Sequence, residues 1–567
     1  MKKNKIKQLG IVGFAVLAGA LASCAGGFGG GEDSSITTVN ILVFQGTGGS
    51  DWVKEAGKRF KEANKNVSFE EGKVGVNFKV RSAKGLSWNS EMKASGDDIY
   101  IYESNPDIYS LAAQNYLLDL SDVVEPMVDK IDKDVLERLK GSDGKYYALP
   151  HYEWFPGLTY DKDLFVEKNY YFADPDAESS DKEVYTCAYG TASFVADSKV
   201  AKSVGPNGVK GDYDDGLPSS LEELNILCDK MMQDSVSPII LCGSGHYYSW
   251  YLPIALWSSL TGGDGMRNIF CNWTDAEVDV VDGWSNENAF YADSNIATPT
   301  TKKAKLSDDN GYLMYSMANR YYALAFCRMA YDNKWIDSKQ ISNSQGSASE
   351  AQNWFVNGHD GTRYGMLWDG SYWCHEAADV GTFRTYETLN PGQKRHTAFM
   401  PLPTQLTGQV KEGEGKKPTL INVGNSVTFA NKRVATNGKI KAVKEFLKFI
   451  YQDSELAAFS EKTGLTSPIQ YDYDMSKLDN SYYSDLAVMR KDADVLIESS
   501  PSVRQKKNFP FFLIGYTMTL SSFTSSSGKQ ITGGYLDAFK IQSETETAKH
   551  IFEATEISKE SWDKLDR

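Results

Sequence analysis

Residues 37–52 read TTVNILVFQGTGGSDW. The β-branched and apolar residues at 37–44 predict a first strand, and the glycine-rich run at 45–49 predicts the turn that ends it. Ser50 or Asp51 can cap a following helix, in which apolar residues recur at helical spacing. A strand, a glycine turn and a helix make a βα unit, and in open α/β sheets ligands meet the loop that follows such a strand.

The same alternation continues along the chain. Residues 76–80 and 99–102 predict two further strands, and residues 107–115 predict a helix after the second of them. Another helix is predicted at 439–451, with its apolar residues on one face. This order predicts an α/β protein with a parallel or mixed sheet.

Length and charge narrow the class of protein. A chain of 567 residues is too long for one small core and predicts two or more lobes. Its net charge of −15 predicts that it does not bind nucleic acid, because the phosphate backbone would repel it. The 32 Tyr and 12 Trp residues can fill cores or stack on sugar rings, and composition leaves both readings open.

The first 23 residues have the pattern of a secretory signal: four lysines before residue 8, a short apolar run at 11–22, and small residues at its end. The tetrapeptide Leu21-Ala22-Ser23-Cys24 resembles the lipobox of bacterial lipoproteins, in which the cysteine is lipidated and the signal is cut before it. Residues 24–36 are rich in glycine and polar side chains and predict a flexible tether. The alternative is an ordinary signal with a chance cysteine.

Seven cysteines occur in the chain. The six that follow Cys24 are widely spaced and include no C-x-x-C, which argues against a compact disulfide framework or a zinc site. The spacing does not exclude a disulfide bond between distant cysteines.

Five stretches together resemble the extracellular solute-binding proteins of carbohydrate ABC importers, the family 1 group that includes maltose-binding protein. No single stretch is diagnostic, but their shared order covers nearly 430 residues. They are 44–52; 107–120; 144–150 with 158–165; 355–358 with 365–373 and 401–404; and 423–429 with 445–450. The resemblance is weak at 170–216 and 265–320, where the chain is longer than most members.

The resemblance implies a two-lobed, type II periplasmic-binding-protein-like α/β fold with a hinge and a ligand cleft between the lobes. Lobe 1 would hold 37–153 and 421–500, and lobe 2 would hold 156–420 and 505–567. It further implies a monomeric, non-enzymatic, lipid-anchored receptor on the extracellular face of a bacterial membrane. Such a receptor closes on a sugar or oligosaccharide and delivers it to the permease subunits of an ABC importer.

Candidate ligand-binding residues follow from the resemblance and from the chemistry of sugars, whose rings stack on aromatic side chains while planar polar groups bond their hydroxyls. Trp154 lies at the expected hinge crossing, and Tyr372 matches the aromatic position of the family's Gly-Ser-Trp segment. For each candidate, core packing or strand-end capping is the alternative. The full set is Gln45, Glu103, Trp154, His246, Trp250, Asp369, Tyr372, Trp373 and Asn425.

One polar segment resembles a calcium loop. Asn207-Gly208 precedes Gly211-Asp212-Tyr213-Asp214-Asp215-Gly216, and alternating acidic residues with glycines suit the six to eight oxygen ligands of Ca²⁺. Asn207, Asp212 and Asp214 are the candidate ligands, and no other cofactor is expected. The alternative is an acidic solvated loop.

Two other classes of function compete with the receptor. A glycoside hydrolase needs two carboxylates at a fixed separation, which a sequence with 75 acidic residues cannot exclude. A surface-anchored glycan adhesin would share the aromatic residues but need no hinge.

Overall fold

A computed structural model describes 34–103, 107–178, 182–196, 200–242, 248–269, 277–285, 296–307, 309–337, 347–424, 426–478, 480–497, 519–525, 528–534, 538 and 547–564. The predicted signal peptide and Cys24 lie outside these ranges, as do two candidate site residues, His246 and Asn425.

The described residues form seventeen β-strands, labelled β1 to β17 in chain order. They are Thr37–Phe44, Val76–Ala83, Ile99–Tyr102, Ala148–Pro150, Pro156–Asp161, Lys182–Cys187, Gly190–Val195, Ser237–Leu241, Glu277–Ser285, Thr298–Lys305, Tyr364–Gly370, Thr397–Phe399, Thr419–Asn422, Val427–Ala430, Asp494–Ile497, Thr519–Thr524 and Gln530–Gly534.

They also form eighteen α-helices, labelled α1 to α18. These are Asp51–Ala63, Trp88–Ala94, Ile108–Ala113, Ser121–Val124, Lys133–Glu137, Lys162–Glu167, Leu221–Gln233, Tyr248–Thr261, Gly263–Arg267, Ala318–Asp332, Ala348–Asn357, Trp373–Asp379, Thr382–Leu389, Ile440–Ile450, Asp453–Thr463, Ser481–Asp492, Ala548–Ala554 and Lys559–Asp563.

The first large sheet has the strand order β2-β1-β3-β14-β4. Strand β1 pairs in parallel with β2 and β3, whereas β14 runs antiparallel to β3 and β4. Because the three parallel strands point the same way, their carboxyl ends at Phe44, Ala83 and Tyr102 meet at one edge of the sheet. Helices α1 and α14 bury their apolar faces on this sheet, and Phe60 of α1 contacts Phe446 of α14.

The second large sheet has the order β12-β5-β11-β8. Strand β11 is parallel to β8 and antiparallel to β5, and every residue of β11 is buried. Burial of both faces is typical of a central strand covered by helices. The carboxyl ends of β8 and β11, at Leu241 and Gly370, again meet at one edge.

The chain passes between the two sheets more than once. Residues 151–155 connect β4 of the first sheet to β5 of the second, and residues 400–426 connect β12 to β14 by way of β13. Helix α16 then packs back against β12, after α14 and α15 of the first lobe. The exact lobe boundaries given above remain a prediction.

Small antiparallel sheets account for the regions where the family resemblance is weak. Strands β6 and β7 form one hairpin within 170–216, and β9 pairs with β10 within 265–320. Both hairpins leave many side chains exposed, as edge ribbons of two strands do.

Several local predictions are confirmed. The strands predicted at 37–44 and 99–102 have the predicted bounds, and the helix predicted at 439–451 is α14 at Ile440–Ile450. Five of the six later cysteines fall in the described ranges, and Cys187, Cys228, Cys327 and Cys374 are free thiols.

Candidate functional site

A cavity of about 460 Å³ lies between the edges of the two large sheets. Its volume falls in the range of roughly 300–1,000 Å³ that small-ligand clefts occupy. Its wall comes from the first sheet and the loops after its strands, from α8, α12 and the turn after β11, and from the connecting segments. The lining residues are Phe44, Gly46, Thr47, Lys84, Gly85, Glu103, Trp154, Tyr248, Trp250, Tyr251, Tyr372, Glu376, Val423 and Gly424.

The first lobe contributes residues that follow its three parallel strands. Thr47 comes from the turn after β1, Lys84 follows β2, and Glu103 follows β3. The Thr47 hydroxyl donates to Glu103 Oε1 at 2.7 Å. The glycine turn predicted from sequence therefore places a hydroxyl where it orients a buried carboxylate.

Trp154 lies in the connection between β4 and β5, at the floor of the cavity. Its indole Nε1 donates to Glu103 Oε2 at 3.2 Å, and its ring contacts Tyr372 edge-on, with the ring centroids 5.0 Å apart. A residue of the connection between the two sheets therefore touches polar and aromatic groups of both lobes.

The second lobe contributes aromatic rings from the start of α8 and from the turn after β11. Tyr248, Trp250 and Tyr251 lie in α8, and the Trp250 and Tyr251 ring centroids are 4.6 Å apart at 71°. The Tyr372 hydroxyl donates to that of Tyr248 at 3.4 Å. These rings give the cavity one wall suited to the apolar face of a flat ring.

Two further carboxylates share one amide group on the second lobe. Gln352 Nε2 donates to Asp369 Oδ2 at 3.1 Å and to Glu376 Oε2 at 3.3 Å. Asp369 Oδ1 accepts from the Gly370 backbone N–H at 2.7 Å. Asp369 is buried behind the wall, whereas Glu376 lines the cavity.

Burial changes the protonation of all three acids. Removal from water raises the pKa of Glu103 to about 7. Burial, reinforced by the charge of Glu376, raises the pKa of Asp369 to about 8. Burial also raises the pKa of Glu376. Loss of hydration disfavours the charged form of a carboxyl group, so Glu103 and Asp369 exchange protons near neutral pH.

The structure brings four of the predicted site residues to the cavity wall: Glu103, Trp154, Trp250 and Tyr372. Asp369 lies one layer behind them. His246 and Asn425 lie outside the described residues. For none of these does the geometry establish a contact with a ligand, and ligand binding stays a prediction.

Two predicted site residues do not line the cavity. Trp373 is fully buried and contacts Phe355 and Tyr482, because it is the first residue of α12 and faces away from its neighbour Tyr372. Gln45 is exposed just after β1, while Phe44 and Gly46 on either side of it reach the wall.

Several wall residues are absent from the set of candidates that the sequence predicts. Glu376 follows Tyr372 by four residues, a spacing that places two helical side chains on one face and would have flagged it. Tyr251 adjoins the predicted Trp250. Lys84 follows the second strand, where the strand-end argument used for Glu103 applies equally.

The predicted calcium loop brings acidic groups together. Carboxylate oxygens of Asp212, Asp214 and Asp215 lie within 4.8 Å of one another. The Asn207 side chain is already bonded inside the loop, since its Nδ2 donates to Asp212 and its Oδ1 accepts from the Val209 N–H, both at 2.7 Å. Calcium binding remains a prediction.

Solved structures show what this architecture is similar to. Maltose-bound MalE3 of T. maritima matches with a TM-score of 0.50 and 13% identity over 92% of this chain and 99% of its own. RafE of Streptococcus pneumoniae in its apo form matches with a TM-score of 0.50 and 11% identity over 92% and 98%. RafE in complex with raffinose gives 0.50 and 12% over 91% and 99%.

The chain has the two-lobed α/β fold of these solute-binding proteins. The predicted fold class is therefore confirmed. No protein-family model and no curated protein sequence matches the chain.

Within the described part of the chain, no helix is both long and apolar enough to cross a membrane.

Proposed function

We propose that the protein is a lipid-anchored receptor that closes its two lobes on a sugar or oligosaccharide and passes it to a membrane permease. The cavity carries this proposal. It combines edge-on and tilted aromatic rings with hydrogen-bonding carboxylates, and its wall comes from both lobes. That combination suits a sugar, whose ring faces are apolar and whose hydroxyls need acceptors.

The similar structures support the same ligand class. One is described as maltose-bound and another as a complex with raffinose. Closure of two lobes around a ligand is a common hinge motion, and the ligand stabilises the closed form by contacting both sides. The Trp154–Glu103 hydrogen bond lies where such a motion would pivot.

A thermal-shift panel of mono- and oligosaccharides tests sugar capture. A ligand present at one hundred times its Kd should stabilise the folded state by about 2.7 kcal/mol. Small-angle scattering should show compaction on binding. If no carbohydrate of a broad panel raises the melting temperature, the proposal is wrong.

Trp154→Ala should weaken sugar binding by about 1–3 kcal/mol, because it removes a stacking ring and one hydrogen bond to Glu103. Trp284→Ala is the matched control: Trp284 lies on β9, contacts Tyr321 and Phe552, and is absent from the cavity wall. Isothermal titration calorimetry measures both. Equal affinities for the Trp154 variant and the parent would remove that ring from the site.

The anchor and the alternatives need separate tests. Cys24→Ser should abolish fatty-acid labelling and move the protein from the membrane fraction to the soluble fraction. Turnover of a bound oligosaccharide would instead favour a glycoside hydrolase. Binding without compaction would favour a rigid glycan adhesin.

A further inference from the structure

The cavity carries an excess of acidic over basic side chains. Glu103 and Glu376 line it, and Asp369 lies directly behind. Among the described lining residues, Lys84 is the one cation, and its side chain is exposed at the rim. An anionic ligand, such as a sugar acid or a sugar phosphate, would therefore meet repulsion here.

The three acids differ in how many of their carboxylate oxygens already accept a hydrogen bond. Both oxygens of Glu103 accept hydrogen bonds, and so do both oxygens of Asp369. Glu376 accepts only at Oε2, and its Oε1 has no hydrogen-bond partner among the described residues. Each carboxylate oxygen can accept two hydrogen bonds, so Glu376 Oε1, which accepts none from the described residues, is the least occupied of these acceptors and lies on a residue of the cavity wall.

A single side-chain amide, that of Gln352, bridges the two second-lobe acids, Asp369 and Glu376. Gln352 Nε2 serves both Asp369 and Glu376, and the buried Gln352 Oε1 has no hydrogen-bond partner. One neutral donor cannot balance two carboxylates, and the cation that acts on Glu376 from the wall is the exposed Lys84 at the rim. A cation arriving with the ligand would supply the missing charge.

Aromatic rings line the same cavity wall as Glu376. Tyr372 precedes Glu376 by one helical turn, and Trp250 and Tyr251 belong to the same wall. The negative π faces of Trp and Tyr attract a cation that lies within about 6 Å of a ring. An ammonium group beside Glu376 would combine this attraction with a charge-assisted hydrogen bond.

We infer that the cleft selects a carbohydrate bearing a protonated amine, such as a 2-amino-2-deoxy sugar unit, with the ammonium group on Glu376 and the ring against the aromatic wall. This inference rests on the proposed function, because it names the class of sugar that the same cleft takes.

Calorimetry with matched oligosaccharides tests it on the purified protein. Three series of oligosaccharides are compared, and they differ only in the substituent at C2: a free amine, an N-acetyl group or a hydroxyl. Each series is made with gluco, galacto and manno rings, and each comparison is between oligosaccharides of the same ring type, length and linkage. The amine form should bind at least about tenfold more tightly than the other two. Its preference should weaken as salt concentration rises.

Glu376→Gln keeps the shape of the side chain and removes the charge. The ratio of amine to hydroxyl affinity should then fall towards one. Asp379→Asn is the matched control: it removes one negative charge from the same helix at an exposed position away from the cavity wall. The Asp379 charge acts on Glu376 only through space, so the ratio should change far less than in Glu376→Gln.

The outcomes separate the two proposals. Binding of the neutral series with no preference for the amine, or a preference that survives Glu376→Gln, overturns the inference and leaves sugar capture standing. If no series and no other sugar of the broad panel binds, both fail together.

Discussion

Two glycines make room for the Trp154 ring. A Cβ at Gly424 would lie 2.1 Å from Trp154 Cδ1, and a Cβ at Gly370 would lie 2.3 Å from Tyr372 Cε1 and 3.1 Å from Trp154 Cε3. Real Cβ atoms essentially never come within 3.0 Å of another atom, so a methyl group at either glycine would force the neighbouring ring to move. The position of Trp154 therefore depends on the absence of two side chains.

Gly424→Ala should displace the Trp154 ring, lower the free energy of unfolding by about 1–3 kcal/mol and weaken ligand binding. Gly96→Ala is the control, because a Cβ there would have no heavy atom within 4 Å. Chemical denaturation and calorimetry measure the two quantities. Wild-type affinity in the Gly424 variant would mean that the Trp154 ring can take another position without loss of ligand binding.

Adjacent residues show what sequence reasoning can and cannot decide at this scale. Tyr372 and Trp373 are both aromatic and follow the same strand, yet one lines the cavity and the other fills the core of the second lobe. The choice depends on where α12 starts and which way its first turn faces. Neither property is encoded in the residue types alone.

At the scale of elements, one ion pair ties a C-terminal helix to the connection between the sheets. Arg490 of α16 donates from Nε to Glu153 Oε1 at 2.7 Å, and Glu153 is fully buried. Burial raises the pKa of the Glu153 carboxyl, while the Arg490 charge opposes that rise. Glu153 precedes Trp154, so this helix helps to hold the floor of the cavity.

Arg490→Met should lower the free energy of unfolding by about 3 kcal/mol, because it leaves a buried carboxylate without its cation. Adding Glu153→Gln should recover part of that loss. Lys130→Met breaks an exposed pair with Asp453 instead and should cost less than about 1 kcal/mol. Urea denaturation measures all three. A double variant no more stable than Arg490→Met would show that the pair is not the cause.

Element prediction succeeds where the signal is local. Strand β1 and helix α14 follow from runs of eight and eleven residues whose apolar pattern sets their type. The pairing of β14 with β3 joins residues more than 300 positions apart, as in Phe429 with Tyr100. Such pairing depends on the packing of the whole lobe, so only the family resemblance could suggest it.

For the whole molecule, the cavity forms because two sheets present their strand ends to each other. The first sheet provides polar groups at strand ends, and the second provides rings from α8 and a carboxylate from α12. The sequence predicts Glu103, Trp154, Trp250 and Tyr372 in one site, from the family resemblance and from the rule that ligands bind at the carboxyl ends of strands. It could not reveal their mutual distances or the excess of acids, which exist only once the lobes face each other.

The buried acids predict how the stability of the ligand-free protein depends on pH. Burial raises the pKa of Glu103 and of Glu223 to about 7 and that of Asp369 to about 8, whereas unfolding returns each to near 4. Between about pH 6 and the folded-state pKa values of about 7 to 8, the folded state binds more protons at these acids than the unfolded state, so the free energy of unfolding falls as pH rises. Each group contributes up to about 1.4 kcal/mol per pH unit.

One buried group acts in the opposite direction at lower pH. Burial lowers the pKa of His151 to about 3, so the unfolded state alone takes up that proton as pH falls below about 6.5. The test window therefore lies between about pH 6.5 and 8.5, where the acids dominate. Urea denaturation should show declining stability across it, and Asp369→Asn should flatten the decline, whereas the exposed Asp379→Asn should not. A stability that rises through this window would contradict the assignment of protons to the cavity acids.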